Sequence, residues 1–473
     1  MIKNRVWLLL FLGVTVQSHG QSVKSAPVFS FDDFYSIVME YHPVVQQARL
    51  LPEQAMQELR MARGAFDPKV ETLWSKKSYN DTEYYNIFKS ALKIPVWLPL
   101  DPEVGIEQNT GAYLNPERYI SESTDHRQVY GGISVPVGRG LFIDERRATV
   151  QKAALFKDMS EVEQIKLINK LLLSAANDYW EWYDAYNQYI LAEQAIEIAQ
   201  DIFDRTRLAF EYGEVAAIDT VQAGISLQKR FIEFQQADAD RVTTALKLSN
   251  HLWAEGGLPL ELRDDVAPEA IAVIATSAFE LEALVEQARN NHPELRKLEL
   301  KNDMLQVDQR LARENLKPTL DIGYYLLDQP FNANGERQAF SLTDNYKIGL
   351  QFSFPLLLRK ERAKVNHTSL KILDNNYERS YREREIINEI NALYTSLLNT
   401  SEIIGRQRQM VEGYERIVDA ERMNLENGES DLFKINVQLD KLIEARSKYI
   451  KLNTKYKKNE AYLYWAAGMA VVN

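Results

Sequence analysis

Cysteine is absent from the 473-residue chain. This absence excludes a disulfide framework, a thiolate metal site and lipid attachment through a cysteine behind a secretory signal. The six histidines show no i, i+4 pairing and no HExxH context, so the sequence predicts no metal site, no cofactor and no catalytic centre. Acidic residues outnumber basic ones, and the formal net charge of −11 argues against a nucleic-acid partner.

Apolar runs of membrane-spanning length are also lacking. The run from Val6 to Val16 follows Lys3 and Arg5 and precedes small residues, which is typical of a cleavable secretory signal. It is too short for a transmembrane helix, which needs about 20 residues. We therefore expect residues 1–20 to be a signal peptide and the mature chain to be exported. An exported chain of this kind enters a membrane only as a β-barrel.

Proline is missing from two long stretches, and glycine is missing from most of the first half of one of them. All fifteen prolines fall outside residues 137–258 and 356–473, and no glycine occurs between Leu141 and Tyr212. Because apolar residues recur at helical spacing there, the sequence predicts a helix of about seventy residues, roughly 100 Å long. Gly213 marks the tip, and a shorter helix returns. A helical hairpin of this length does not fit inside a compact globule.

Several short phrases recur at constant offsets, which indicates an internal duplication. A helical protein of repetitive composition is the alternative explanation. About 35 extra residues lie in the first copy, between its first strand and its long helix. The recurring pairs are His42-Pro43 with His292-Pro293, Pro68 with Pro318, Arg147-Ala148 with Arg362-Ala363, and Gly213-Glu214 with Gly428-Glu429.

The predicted fold class is α+β, dominated by long α-helical hairpins. A unit of helix, strand, strand, long helix and return helix occurs twice. The first repeat spans 21–268, with a β segment at 69–136 that contains the long insertion and a helical hairpin at 141–255. The second repeat spans 269–473, with a β segment at 318–355 and a helical hairpin at 356–467.

Alternation of apolar and polar side chains predicts the strands. It is found in residues 319–327 and 345–354, in Val70 to Trp74 and in Val129 to Val135. A half-buried soluble hairpin has the same alternation as a membrane strand. The export signal and the aromatic residues at strand ends favour the membrane. The insertion at 75–128 is either an elaborated external loop or an extra hairpin.

Two other features favour structural roles. The aromatic cluster at Tyr179, Trp180, Trp182 and Tyr183 has helical spacing, so we expect core packing between helices rather than a ligand cage. The repeated histidines of the His-Pro pairs are expected to pack or to cap helices rather than to bind a ligand.

The order of elements, the repeated His-Pro, the strand-end prolines Pro136 and Pro355 and the two glycine tips resemble the TolC family of outer-membrane efflux proteins. The resemblance implies a homotrimer. Each protomer would give four strands to a 12-stranded β-barrel in the outer membrane of a Gram-negative bacterium, in contact with its lipid. The long helices would form a periplasmic α-helical barrel. Independently, two hairpins cannot close a barrel alone, so several copies must share one.

The same resemblance implies a function and partners. The trimer would be the exit duct of a tripartite efflux pump or of a type I secretion system, conducting substrates passively and catalysing no reaction. Its partners would be a periplasmic adaptor and an inner-membrane transporter or secretion ATPase. A periplasmic adaptor is an alternative function, although adaptors have one hairpin inside a split β-domain. A structural coiled-coil protein is another, against which the strands argue.

By resemblance, the functional residues lie at the two helical tips, where the tunnel entrance is gated. Asp219 follows Gly213 by six positions, as in other members, whereas Lys434 and Val437 occupy the aspartate positions of the second tip. A ring of carboxylates would bind cations at the entrance. A solvated helix end, stabilised by the helix dipole, is the alternative. The candidate residues are Gly213, Asp219, Glu426, Gly428, Glu429 and Asp431.

Overall fold

The computed structural model describes residues 27–271, 280–328, 344–427 and 429–469. The predicted signal peptide at 1–20 and the tip residue Gly428 lie outside these residues. The mixed fold with long helices is confirmed, whereas the bounds of the two repeats stay a prediction. The helices are α1 (Phe31–Tyr41), α2 (Pro43–Arg63), α3 (Glu145–Glu211), α4 (Ala217–Ser249), α5 (Leu281–Asn291), α6 (Pro293–Glu314), α7 (Arg359–Glu426) and α8 (Leu432–Ala466).

One large sheet and two small two-stranded sheets contain the strands. β1 pairs with β8, and β6 pairs with β7. The other six strands form the large sheet. The strands are β1 (Val28–Phe29), β2 (Lys69–Tyr79), β3 (Thr82–Lys93), β4 (Asp101–Thr110), β5 (Arg127–Pro136), β6 (Trp253–Ala254), β7 (Leu258–Pro259), β8 (Ala267–Pro268), β9 (Thr319–Asp328) and β10 (Tyr346–Ser353).

The large sheet has the order β10-β9-β5-β4-β3-β2 and is antiparallel throughout. The predicted strands near 70–74, 129–135, 319–327 and 345–354 are confirmed as β2, β5, β9 and β10. The sheet has six strands, two more than the four that the resemblance implied for the barrel, and the number of strands in the barrel stays a prediction. The insertion at 75–128 extends β2 and adds β3 and β4. Asn80 and Asp81, both with positive φ, form the β2–β3 turn.

Two helices precede the strands in each half, where the sequence predicted one, near 279–315 in the second. The break falls at His292-Pro293 and at the equivalent His42-Pro43. Proline lacks the N–H that would continue the preceding helix and keeps the residue before it extended. The ring nitrogen Nδ1 of His42 accepts a hydrogen bond from Val44 N (3.1 Å), and Nδ1 of His292 accepts one from Glu294 N (3.2 Å). Both histidines therefore cap helices, as predicted.

The long helices α3 and α7 have 67 and 68 residues, so each is roughly 100 Å long. Each packs against its return helix on the side of the tip and against the shorter helices on the side of the sheet. Lys152 to Asp308 (2.9 Å) and Lys297 to Glu163 (2.7 Å) join α3 to α6. None of the described helices is both long and apolar enough to cross a membrane.

Two hydrophobic clusters lie midway along the helices. In the first, Phe34 and Val38 of α1 pack against Tyr179 and Trp182 of α3. The predicted packing role of the aromatic cluster is confirmed. In the second, helix α5 packs against α7 and α8, through Leu284, Ala288, Ile386, Ile390, Tyr456 and Leu463.

Candidate functional site

One face of the large sheet is apolar and exposed. The strand register aligns Val70 with Leu92, Leu92 with Val104, and Ile322 with Leu350 on this face. Val70, Val104 and Leu350 are 73%, 52% and 68% exposed. A stable soluble sheet would bury such a face. Other members are Trp74, Phe88, Ile106, Val129, Ile133, Val135, Leu320, Tyr324, Leu326, Tyr346, Ile348 and Phe352.

The opposite face of the sheet carries charges, and its side chains are more buried. Lys93 pairs with Glu71 at 2.7 Å, across β2 and β3. Tyr130 is only 5% exposed, and its hydroxyl donates to Glu103 Oε1 at 2.6 Å. The sheet therefore reverses the polarity of a soluble fold, with apolar side chains outside and charged side chains on the more enclosed face. This is the polarity of a membrane barrel with a polar interior.

A buried carboxylate joins the sheet to the helices. Glu314, at the end of α6, accepts hydrogen bonds from the backbone N–H groups of Gly140 (3.2 Å) and Phe142 (3.3 Å). Lys317 pairs with its other oxygen at 2.7 Å. Arg147 donates to the carbonyl oxygens of Gly140 and Leu141. Side chains from both halves of the chain thus form hydrogen bonds with the backbone groups of the segment between β5 and α3.

At the first tip, Gly213 has φ +74°, a conformation that side chains disfavour, so glycine fits this turn. Asp219 lies in the first turn of α4. Its carboxylate accepts a hydrogen bond from Ala216 N at 3.0 Å. Asp219 is therefore placed at the tip, as predicted, and caps the return helix. Its predicted part in a carboxylate ring stays a prediction.

The second tip repeats this arrangement with a different residue. Asp431 is the N-cap of α8, and its carboxylate accepts from Lys434 N at 2.8 Å. This hydrogen bond lowers the pKa of Asp431. Glu429 is exposed and donates its backbone N–H to Asn424 O at 2.8 Å. Glu426 ends α7, but its side chain and the whole of Gly428 lie outside the part of the chain that the structure describes.

Charged side chains link the two hairpins behind the tips, and sequence analysis did not find them. Asp440 of α8 accepts from Lys229 (3.1 Å) and from the buried guanidinium of Arg230 on α4. Arg422 of α7 pairs with Asp201 of α3 at 3.2 Å. These partners are 210 to 221 residues apart in sequence, and charge spacing along a single helix cannot pair them.

A cavity of about 750 Å³ lies between the hairpins near the tips. Acidic and basic side chains line it together, so it has no single charge sign. Its charged lining residues are Asp201, Arg205, Glu214, Glu415, Asp419, Arg422 and Arg446. Among the described residues, no group of histidine and carboxylate side chains is arranged to bind a metal ion.

The sequence and the fold both resemble those of known proteins. Residues 284–469 match the family model described as outer membrane efflux protein. No curated protein sequence matches the chain significantly. Among solved structures, the outer-membrane channel OprN is similar with a TM-score of 0.68 at 11% identity, covering 93% of this chain and 90% of that one.

Two further solved structures have the same fold. The CmeC outer membrane channel of Campylobacter jejuni is similar with a TM-score of 0.64 at 13% identity, covering 93% of this chain and 86% of that one. The outer membrane protein VceC of Vibrio cholerae has the same score and identity, covering 93% of this chain and 96% of that one. At this identity the structures support the fold alone.

The family match lies in the second half of the chain, and the structural likeness extends over both halves. The resemblance identified from the sequence and the predicted location in the outer membrane are therefore confirmed. The family consists of channel proteins rather than enzymes. Residues 284–469 of this chain thus match the outer membrane efflux protein family, and both halves share the fold of solved outer-membrane channels.

Proposed function

We propose that three copies of this chain form a passive exit duct through the outer membrane. Strands from the large sheets of the three copies close into one barrel in the lipid. The helical hairpins assemble into a tunnel that extends into the periplasm, with its entrance at the tips. The duct catalyses no reaction.

The reversed polarity of the large sheet is the observation that carries this proposal. Its apolar face requires a hydrocarbon environment, and its charged face suits a water-filled interior. β2 and β10 are the edges of the sheet, and open edges are not tolerated in lipid because their N–H and C=O groups find no partner there. Since β2 and β10 run in opposite directions, β10 of one copy can pair with β2 of the next.

An apolar stripe on α4 supports assembly of the helices. Ile218, Val221, Ile225 and Ile232 lie on one face at spacings of three, four and seven residues. Ile225 and Ile232 are 66% and 67% exposed. Such a stripe is typical of a coiled-coil seam, and a neighbouring copy would cover it.

The tips are the proposed gate, which the family resemblance supports. Gly213 allows the sharp turn of the first tip, and Asp219, Glu429 and Asp431 supply acidic groups around the entrance. Glu426 and Gly428 stay candidates from the sequence alone. A periplasmic adaptor would engage this end of the tunnel. An inner-membrane transporter, of an efflux pump or of a type I secretion system, would deliver the substrate there.

Reconstitution of the full chain tests the duct. The chain extracted from outer membranes should have the mass of a trimer, migrate differently after heating and conduct ions in a planar bilayer. Leu350→Lys, on the apolar face, should abolish insertion, since a lysine at mid-bilayer costs about 2 to 4 kcal/mol per copy. Gln351→Lys, one residue away on the charged face, should insert normally.

Three outcomes contradict the proposal. A folded protein without channels that binds a pump component would indicate an adaptor. A folded oligomer that needs no membrane would indicate a structural coiled coil. Equal tolerance of Leu350→Lys and Gln351→Lys would show that the apolar face does not contact lipid.

A further inference from the structure

The hairpin formed by β3 and β4 has no counterpart among the described residues of the second half of the chain. Between the first-half strands β2 and β5 lie two additional strands, whereas β9 and β10 pair directly. β3 has 12 residues and β4 has 10. A transmembrane β-strand needs about 9 to 11 residues, so both are long enough to cross the hydrocarbon core.

The apolar face of the sheet continues across this hairpin, with Thr72 and Ser90 hydrogen-bonded to each other between the apolar positions. Phe88 and Leu92 of β3 lie beside Trp74 and Val70 of β2. Leu92 lies beside Val104 of β4, which is 52% exposed. A loop outside the membrane would not need an exposed apolar face in register with the neighbouring membrane strands.

The charged face also continues across the hairpin. Lys89 of β3 lies 3.5 Å from Glu103 and 3.4 Å from Glu107 of β4. Its ammonium group also lies over the ring of Tyr130 on β5, 4.8 Å from the centroid. Tyr130 in turn contacts Tyr325 of β9, with ring centroids 6.0 Å apart. One network therefore joins four adjacent strands on the enclosed side.

A glycine makes this network possible. Gly105 of β4 lies opposite Tyr130 in the register. A Cβ atom at Gly105 would come within 2.6 Å of the Tyr130 ring, so the ring lies directly over the glycine. A tyrosine that covers a cross-strand glycine stabilises that register. The hairpin is thus built into the sheet rather than laid against it.

We infer that β3 and β4 are membrane strands whose apolar face contacts lipid acyl chains, so that each copy contributes six strands to the barrel wall. This inference rests on the proposed function. In a trimer the wall has 18 strands. At about 4.8 Å between strands and a tilt of about 40°, its backbone radius is about 18 Å, against about 12 Å for 12 strands.

The cysteine-free chain allows a direct test with single cysteines in the full-length protein. A bimane label is attached at Leu92→Cys or Val104→Cys on the apolar face, and at Lys93→Cys or Glu107→Cys on the charged face. Each oligomer is reconstituted in phosphatidylcholine vesicles with and without brominated acyl chains. Leu350→Cys on β10 is the reference, because β10 contacts lipid whether the wall has 12 or 18 strands.

Bromine should quench the labels at Leu92, Val104 and Leu350 at least about twofold and leave those at Lys93 and Glu107 unchanged. Quenching at Leu350 without quenching at Leu92 and Val104 overturns the six-strand wall and leaves the duct intact. Equal quenching on both faces of the hairpin also overturns it. No quenching at Leu350 overturns the proposed function and the inference with it. If a variant fails to assemble, Phe88→Cys or Ile106→Cys replaces it on the same face.

Discussion

Single carboxylates at the tips combine two properties that substitution can separate. Asp219 and Asp431 each accept a backbone hydrogen bond at the start of a return helix. The same carboxylates are the acidic groups of the proposed entrance. Alanine removes the hydrogen bond and the charge together. Asparagine keeps an acceptor oxygen at both positions, and at the N-cap position of Asp431 it is as good as aspartate, so it removes only the charge.

We predict that the double variant Asp219→Asn with Asp431→Asn lowers the cation selectivity of the channel and leaves the tips folded. Asp431→Ala should in addition destabilise the first turn of α8, because it removes the N-cap acceptor. Selectivity is measured as the reversal potential in a salt gradient, and folding by hydrogen exchange. Asp264→Asn, at an exposed position away from the tips, is the control. Unchanged selectivity in the asparagine variant would leave these aspartates as helix caps only.

At the scale of elements, the break between the paired helices depends on a buried neutral histidine. His42 and His292 are each 8% exposed, and each must accept a hydrogen bond through Nδ1. Burial lowers the pKa of both to about 4, and repulsion from His251 contributes at His42. Arg382 and Lys166 also lower the pKa of His292, whereas Glu294 opposes them.

The folded pKa of these histidines lies below the unfolded value of about 6.5, so the unfolded state binds protons first as the pH falls. Their contribution to stability is complete above about pH 6.5 and is lost progressively towards pH 4. We predict that His42→Asn with His292→Asn, which keeps a capping side chain, reduces the pH dependence. Between pH 7 and pH 4.5, the parent should lose at least about 3 °C more in melting temperature than the variant, followed by circular dichroism. Equal losses would contradict this explanation.

The sequence predicted elements best where one periodicity runs without interruption. The helices around Trp182 and the alternation from Thr319 to Leu327 were predicted nearly to their ends because one side-chain period fits each. At β3 and β4 the sequence did not distinguish an external loop from an extra hairpin, because this segment is rich in aromatic and turn residues. Asn80-Asp81 and the spacing of Phe88 and Leu92 were the available signals for it. The helix break at His292 was missed, although Pro293 was the available signal for it, because proline disfavours a helix through the residue before it.

At the scale of the whole molecule, the open edge of β10 decides whether the sheet closes. Leu327 N donates to Asn345 O, so residues 345, 347, 349 and 351 face β9 with their N–H groups. The N–H groups of Ile348 and Leu350 therefore point away from the sheet. In a closed barrel these groups would pair with β2 of the next copy.

We predict that Leu350→Pro keeps the sheet of a single chain but prevents a heat-stable trimer. Proline is tolerated on an edge strand where its missing N–H faces outward, but it cannot donate to a neighbouring copy. The oligomer mass and the temperature at which the trimer dissociates measure the effect. Leu350→Ala retains the N–H and should form the trimer. A proline variant with the parental dissociation temperature would show that β10 is not an interface between copies.

The sequence by itself determined the long hairpins, the alternating strands and the family resemblance, because each depends on local periodicity or on motif order, whereas the export signal stays a prediction. Only the tertiary structure decided that β3 and β4 enter the sheet, that Asp440 pairs with Arg230, and that Glu314 satisfies the segment before α3. Each of these contacts joins residues whose proximity depends on the register of strands or the packing of helices. Local side-chain patterns do not encode the strand register or the helix packing. Both are set only in the folded chain, where charged groups find partners and backbone groups find hydrogen bonds at the same time.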